Sequence, residues 1–142
     1  MKIDILLIDD SHEDADLAVR VMKQDNPGTK VKVIYDGAEA LQYFFDESDN
    51  ALHHRRPKVI FLDVKLPRLS GPQVLQKLKS HESTRSIPIV IMSSSNQEQD
   101  IAECFSLGAN SYLVKPIDFA RYQTMIIHVS RYWLNFNITV PA

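Results

Sequence analysis

Short apolar runs alternate with longer amphipathic segments along the whole chain. The runs are rich in Ile, Val and Leu, and most of them lack the polar alternation that marks a half-exposed strand. Continuous apolar runs of this length are typical of strands that are buried on both faces of a parallel sheet. The pattern predicts strands at residues 3–8, 31–35, 59–62, 87–92 and 112–114.

The segments between and after these runs carry apolar residues at helical spacing. Connections of helical length require neighbouring strands to be parallel and place helices on both faces of the sheet. The pattern therefore predicts a doubly wound α/β fold, in which ligands bind outside the carboxyl ends of the strands. The predicted helical stripes are Ala15, Ala18, Val19 and Met22; Ala38, Leu41 and Phe45; Val74, Leu75 and Leu78; Ile101, Cys104 and Phe105; and Tyr122, Met125, Ile126, Val129 and Trp133.

Composition narrows the class of protein. A chain of 142 residues has the length of one domain. Sixteen basic residues against 18 acidic ones argue against nucleic-acid binding, which favours a basic surface. The single cysteine excludes an internal disulfide and a thiolate-rich metal site, and no apolar run reaches the length of a membrane span. We expect a soluble, cytoplasmic protein with no nucleic-acid or membrane partner.

Polar side chains follow four of the five predicted strands. Asp9 and Asp10 follow the first strand, Asp63 the third, Ser93 the fourth and Lys115 the fifth. Each alone has an ordinary explanation, such as a helix start, a turn or a loop. Together, however, they would meet at one edge of the sheet, where clustered carboxylates need a counter-charge. Mg²⁺ and Lys115 would supply that charge, and the group suits a phosphoryl ligand.

The stretches ILLIDDS, VIFLDVKLPRLSG, IPIVIMSSS and ANSYLVKPID resemble the receiver domain of two-component response regulators. The resemblance covers residues 3–134 and implies a flavodoxin-like, five-stranded parallel sheet with strand order 2-1-3-4-5. It divides the chain into a receiver domain at residues 1–134 and a C-terminal extension at residues 135–142.

The resemblance implies a role for each matching residue at the strand ends. Asp63 would be the phosphoacceptor, attacking a phosphohistidine of a sensor histidine kinase. Asp10 and Asp63 would bind Mg²⁺ directly, Asp9 would act largely through water, and the backbone carbonyl of Lys65 would complete the protein ligands. Lys115 would pair with the transferred phosphoryl group.

The resemblance also implies a conformational switch and a regulatory class. Ser93 matches the switch hydroxyl and Tyr112 the switch aromatic, and a cis peptide would precede Pro116. Lys65 departs from the polar residue common at its position, and it would either shield the acyl phosphate, pair with an acid or remain solvated. The polar segment 46–58, predicted to be an exposed loop, and the C-terminal sequence resemble small stand-alone regulators of bacterial and cyanobacterial phytochromes.

The apolar C-terminal region indicates where the signal would leave the domain. One buried face would not need so many apolar residues, so we expect part of the region to form a homodimer, although the tail could instead fold onto its own domain. Output would then pass through protein–protein contacts to a downstream partner that the sequence does not identify. The residues assigned to the dimer interface are Phe119, Tyr122, Trp133 and Phe136.

Two other functions fit a flavodoxin-like sheet. A phosphatase resembling the haloacid dehalogenases would use an aspartate nucleophile and Mg²⁺, but its DxDx[TV] motif is not visible. A flavin mononucleotide carrier would need a phosphate-binding loop after the first strand, where Asp9 and Asp10 stand instead. The expectation is therefore a signalling switch, and not an enzyme acting on a diffusible metabolite.

Overall fold

The structure is a computed structural model, and it describes residues 2–46 and 56–140. Five parallel strands form one sheet in the order β2-β1-β3-β4-β5, which confirms the predicted fold class. The strands are β1 (Ile5–Ile8), β2 (Val31–Ile34), β3 (Val59–Leu62), β4 (Ile89–Ser93) and β5 (Ser111–Val114). The helices are α1 (His12–Asp25), α2 (Gly37–Phe45), α3 (Gly71–Ser80), α4 (Glu98–Ser106) and α5 (Phe119–Arg131).

The three inner strands are the buried centre of the sheet. Every residue of β1, β3 and β4 is buried, as their continuous apolar runs predict. The outer strands β2 and β5 are only partly buried, because each has a neighbour on one side within the sheet. Because β1, β3 and β4 are parallel neighbours, their carboxyl ends lie side by side at one edge of the sheet.

The helices cover the sheet in two layers. On one face, α2, α3 and α4 pack against alternate strand residues such as Leu6 and Leu62. On the other face, α1 and α5 pack against the intervening residues, including Leu7 and Phe61. Successive strand residues point to opposite faces, so each inner strand contributes to both apolar cores.

Side-chain caps fix where four of the helices begin. Ser11, Asp36, Ser70 and Asp118 each accept a hydrogen bond from a backbone amide in the first turn of α1, α2, α3 and α5, respectively. At Ser70 the Gln73 side chain also accepts from the cap amide, which completes a capping box. The caps Ser11, Asp36 and Asp118 follow the preceding strands closely, so the first turns of α1, α2 and α5 begin near the edge of the sheet.

Two predicted helical stripes are wrong in detail. The fully buried residues of α2 are Gly37, Ala40 and Phe44, one position before the predicted stripe, whose Leu41 and Phe45 are partly buried against the same core. Gly37 sets this rotation, because a Cβ there would lie 2.2 Å from the Leu69 carbonyl oxygen, so only glycine allows the close approach. On α4, Cys104 is buried as predicted, whereas Phe105 is 50% exposed.

The C-terminal helix does not end cleanly at Arg131. It continues as a π-helical turn at Tyr132–Phe136, in which the Asn137 amide donates to the Tyr132 carbonyl at 2.7 Å. The predicted domain boundary after residue 134 falls inside this turn. The predicted loop at residues 46–58 lies mostly outside the described residues. Within the described part of the chain, no helix is both long and apolar enough to cross a membrane.

Candidate functional site

Backbone pairing brings the acidic residues of two inner strands together. The Asp63 amide donates to the Ile8 carbonyl at 2.9 Å, so the pairing with the last residue of β1 continues one residue beyond β3. Carboxylate oxygens of Asp9, Asp10 and Asp63 all lie within 4.8 Å of one another. Asp9 and Asp63 are buried, and Asp10 is exposed. The acidic site predicted from the strand ends is therefore assembled in the fold.

Lys115 supplies the positive charge of this site. The Lys115 amide donates to the Ser93 carbonyl at 2.8 Å, which fixes the lysine at the end of β5. Its Nζ atom donates to Asp9 at 2.7 Å and to Asp63 at 3.3 Å, and its side chain is 9% exposed. The ammonium thus joins β5 to acids that follow β1 and β3.

The charges of this cluster perturb one another. Burial by itself lowers the pKa of Lys115, but the hydrogen bond to Asp9 and the charge of Asp63 together raise that pKa above its ordinary value. Burial raises the pKa of Asp9, and the contact with Lys115 opposes part of that increase. The lysine is therefore held as an ammonium in the centre of the acids.

The expectation of a cis peptide before Pro116 is wrong. The described residues contain no cis peptide bond. Lys115 nevertheless points toward the acids, because its backbone is held by the β4–β5 ladder and its long side chain spans the remaining distance.

One further acid of the site was missed by sequence reasoning. Lys115 Nζ also donates to Asp14 at 3.1 Å. Asp14 lies in the first turn of α1, where an acidic residue is ordinarily explained by the helix dipole. The sequence therefore contains no signal that separates Asp14 from its acidic neighbour Glu13.

Ser93 and Tyr112 both form a hydrogen bond with Ser95, which lies on the segment that links β4 to α4. Ser93 is buried at the end of β4, and its Oγ accepts a hydrogen bond from the Ser95 amide at 3.1 Å. The Tyr112 hydroxyl donates to the Ser95 carbonyl at 2.9 Å. The Ser95 hydroxyl in turn bonds the Asp100 carboxylate on α4. The two predicted switch residues are thus connected through Ser95.

The segment between β3 and α3 ends at Gly71, which packs closely against the backbone of Asp63. A Cβ on Gly71 would lie 2.1 Å from the Asp63 carbonyl oxygen, so only glycine fits there. Arg68 has a left-handed backbone with φ of 66° and donates through Nε to Asp36 at 2.6 Å.

Lys65 is exposed, and it forms no ion pair with an acid among the described residues. Lys65 and Asp10 line an open groove at this edge.

The four residues assigned to the dimer interface fall into two groups. Phe119 and Phe136 are exposed, at 56% and 74% respectively. Trp133 is half-buried against the apolar core of α1 and α5. Tyr122 is 6% exposed within that core, and its hydroxyl donates to the Asp14 carbonyl at 3.3 Å. The assignment of Tyr122 to the interface is therefore wrong, because the chain's own core already covers it.

The donor set of the site fits a hard divalent cation. Asp9, Asp10 and Asp63 offer carboxylate oxygens only, and such ligands suit Mg²⁺ or Mn²⁺. Asp10 is open to solvent, which leaves one side of the cluster accessible. Clustered carboxylates repel one another, and a cation between them would remove that repulsion.

The chain is similar to proteins of one known family. The family model described as the response regulator receiver domain matches residues 5–127. The probable methanogenesis regulatory protein FilR2 of Methanothrix harundinacea is 31% identical over 137 residues, which cover 94% of this chain and 84% of FilR2. The response regulator Rcp1 of Synechocystis is 30% identical over 138 residues, which cover 97% of this chain and 92% of Rcp1.

Solved structures agree with this match. The phosphorylated cyanobacterial phytochrome response regulator RcpA has a TM-score of 0.90 and 28% identity, and the match covers 99% of this chain and 100% of RcpA. The Mn²⁺-bound form of Rcp1 has a TM-score of 0.86 and 29% identity, with 100% of both chains covered.

Proposed function

Because the chain belongs to the family of response regulator receiver domains, we propose that it accepts a phosphoryl group on Asp63 from a phosphohistidine of a sensor histidine kinase. The observation that carries the proposal is the position of Asp63, whose buried carboxylate contacts the Lys115 ammonium at 3.3 Å beside two further carboxylates. The family is one of signalling modules rather than classical enzymes, which argues against the phosphatase and flavin-carrier alternatives.

The proposed transfer needs few groups. An Asp63 carboxylate oxygen attacks phosphorus, the phosphorus–nitrogen bond to the donor histidine breaks, and its electron pair stays with the imidazole. Asp63 requires no general base, because an ionised carboxylate is already the nucleophile. Lys115 stabilises negative charge on the phosphoryl oxygens. The same groups would later assist attack by water on the acyl phosphate, so the protein would promote its own dephosphorylation.

The acids would hold the cation that the transfer requires. Asp10 and Asp63 would bind Mg²⁺ directly, with Asp9 acting through water and the Lys65 backbone carbonyl completing the protein ligands. When bound, the ion supplies positive charge that neutralises the phosphoryl oxygens. The Mn²⁺-bound form of the relative Rcp1 supports a divalent cation of this kind.

Ser93 and Tyr112 would report phosphorylation to the surface. The Ser93 hydroxyl would donate to the phosphoryl group, and Tyr112 would follow because both residues bond Ser95. A change from 1% to 99% of the active state needs about 5.5 kcal/mol of preference for that state. Charge-assisted hydrogen bonds inside a buried site are the interactions able to approach that magnitude.

We assign the kinase to the phytochromes and the output to protein–protein contacts. The name of RcpA describes it as a cyanobacterial phytochrome response regulator, and the match with RcpA covers 99% of this chain. The exposed side chains of Phe119 and Phe136 support a homodimer built on the C-terminal region. We place the protein in the cytoplasm, where the kinase domain would reach it.

The experiment is phosphotransfer from candidate kinases, phytochromes among them, with labelled ATP. The wild-type protein should acquire a label that hydroxylamine removes, as expected of an acyl phosphate, and chelation of divalent cations should abolish labelling. Asp63→Asn should remain unlabelled, whereas Asp16→Asn, which changes an exposed aspartate of α1, should label normally. Equal labelling of the wild type and Asp63→Asn would refute the proposal.

A further inference from the structure

The Lys115 ammonium is shared among three carboxylates. An ammonium has three N–H donors, and the donors of Lys115 face Asp9 at 2.7 Å, Asp14 at 3.1 Å and Asp63 at 3.3 Å. Asp63, the residue that would carry the phosphoryl group, has the longest of the three contacts. The lysine is therefore engaged by other acids before any phosphoryl group arrives.

Asp14 differs from the other two partners. Asp9 and Asp63 are the buried members of the acidic trio, whereas the Asp14 side chain is 45% exposed and comes from the first turn of α1. The helix start does not need its carboxylate, because Ser11 already caps the helix by accepting from the Asp14 amide. What the carboxylate of Asp14 does in this structure is bind Lys115.

We propose that Asp14 is a positioning residue that competes with the phosphoryl group for Lys115 and so raises the phosphodonor concentration needed to phosphorylate Asp63. This inference rests on the proposed function. A phosphoryl group on Asp63 carries more negative charge than the carboxylate that it replaces, and it must take a donor from Lys115. Asp14 withholds one donor, and its own charge repels the phosphoryl oxygens.

Competition for Lys115 predicts that phosphorylation of Asp63 becomes easier when the Asp14 charge is removed, whereas a purely structural role predicts no such gain. Removal of the Asp14 charge leaves Lys115 with two charged partners, and its third N–H donor passes to the phosphoryl group more easily because a neutral acceptor holds it less strongly than a carboxylate does. The energy gained is limited by the partial exposure of Asp14, because solvent screens the repulsion. We therefore expect phosphorylation to become easier by about three- to tenfold, and expect high salt to reduce the difference.

The test compares Asp14→Asn with Asp16→Asn, using acetyl phosphate as a kinase-free phosphodonor. Asp14→Asn keeps the size of the side chain and an acceptor oxygen but removes the charge. Asp16→Asn makes the same change at an exposed position two residues along α1. The measured quantity is the acetyl phosphate concentration that phosphorylates half of the protein at steady state. It should fall about three- to tenfold for Asp14→Asn and stay unchanged for Asp16→Asn.

A second readout requires no phosphodonor. The ¹⁵N resonance of the Lys115 ammonium should shift in Asp14→Asn and not in Asp16→Asn, because only Asp14 contacts Nζ. Thermal unfolding of both variants verifies that they remain folded.

Three results separate the possible failures. A half-saturating concentration for Asp14→Asn that equals that of the wild type would overturn the inference while leaving the proposed function intact. A rise in that concentration would also overturn it, since Asp14 would then assist Lys115 rather than compete for it. Failure of the wild type and Asp63→Asn alike to acquire a hydroxylamine-labile label would instead refute the proposed function.

Discussion

The Tyr112 hydroxyl donates to the Ser95 carbonyl at 2.9 Å, and this bond joins β5 to the segment that follows β4. The Ser95 amide also bonds the Ser93 hydroxyl, so one residue contacts both members of the proposed switch. Movement of Ser93 would therefore alter the partner of Tyr112 directly.

Removal of the Tyr112 hydroxyl should destabilise the fold. Tyr112→Phe keeps the half-buried ring but leaves the Ser95 carbonyl without this donor, and we expect a loss of about 1 kcal/mol in the free energy of unfolding. Urea denaturation measures it. Tyr132→Phe is the control, because the ring of Tyr132 is 51% exposed. Equal stability of Tyr112→Phe and the wild type would show that the bond contributes nothing.

A methyl group at Gly71 should damage both the fold and the site. The added Cβ would lie 2.1 Å from the Asp63 carbonyl oxygen and 2.7 Å from the Val64 Cα, so the backbone that carries Asp63 must move. We expect Gly71→Ala to cost about 1–3 kcal/mol of stability and to impair phosphorylation. Gly28→Ala is the matched control, since its Cβ would have only an ordinary contact at 3.7 Å. Similar unfolding free energies for the two variants would contradict the close approach.

Loss of the Asp10 charge should separate cation binding from stability. Asp10 is exposed and belongs to the acidic trio. Asp10→Asn should weaken Mn²⁺ or Mg²⁺ binding by about tenfold or more, while its stability in chelator should stay equal or rise because carboxylate repulsion falls. Metal titration followed by calorimetry measures the first effect and thermal unfolding the second. Glu13→Gln, an exposed charge change on α1, should leave the metal affinity unchanged.

The ion pair between α1 and α5 should contribute pH-dependent stability. Arg131 donates through Nε to Asp25 at 2.9 Å, and this hydrogen bond lowers the pKa of Asp25 below its ordinary value of about 3.9. Because the folded-state pKa is the lower one, the stabilisation is complete above pH about 4 and is lost as the pH falls through the folded-state pKa. The difference in melting temperature between the wild type and Asp25→Asn should therefore be largest near neutral pH and should narrow in acid. Arg131→Gln should show the same narrowing, and a pH-independent difference would exclude this origin.

The exposed C-terminal ring should matter for self-association. Phe136 is 74% exposed on the π-helical turn, and Phe105 is 50% exposed on α4. Phe136→Ser should lower the apparent mass in light scattering at high protein concentration, whereas Phe105→Ser should not. A wild type that stays monomeric at every concentration, with and without phosphoryl donor, would rule out the homodimer.

Sequence reasoning was reliable where local pattern and fold topology agree. The continuous apolar runs identified β1, β3 and β4 because these strands are buried on both faces, and their order brings Asp9 and Asp63 to one edge. Lys115 could likewise be placed at this edge, because it directly follows the fifth run. These positions follow from the parallel topology alone.

The errors have tertiary causes. The rotation of α2 depends on a contact between Gly37 and Leu69, which are far apart in the chain. The sequence places Tyr122 in an interface because the C-terminal region carries more apolar residues than one buried face needs, yet the packing of α5 on α1 buries this side chain. Asp14 belongs to the site only because the side chain of Lys115, which follows β5, extends to α1. None of these contacts leaves a pattern within a window of neighbouring residues.

The site also determines how the last strand of the sheet is held. Lys115 follows β5, an outer strand whose residues are mostly half-buried, and such strands open more readily than the centre of a sheet. Each opening would withdraw the Lys115 ammonium and leave the carboxylates of Asp9, Asp14 and Asp63 facing one another without it. The attraction between Lys115 and these acids therefore stabilises the closed position of β5. Amide hydrogens of that strand should exchange with solvent more slowly than their exposure alone suggests.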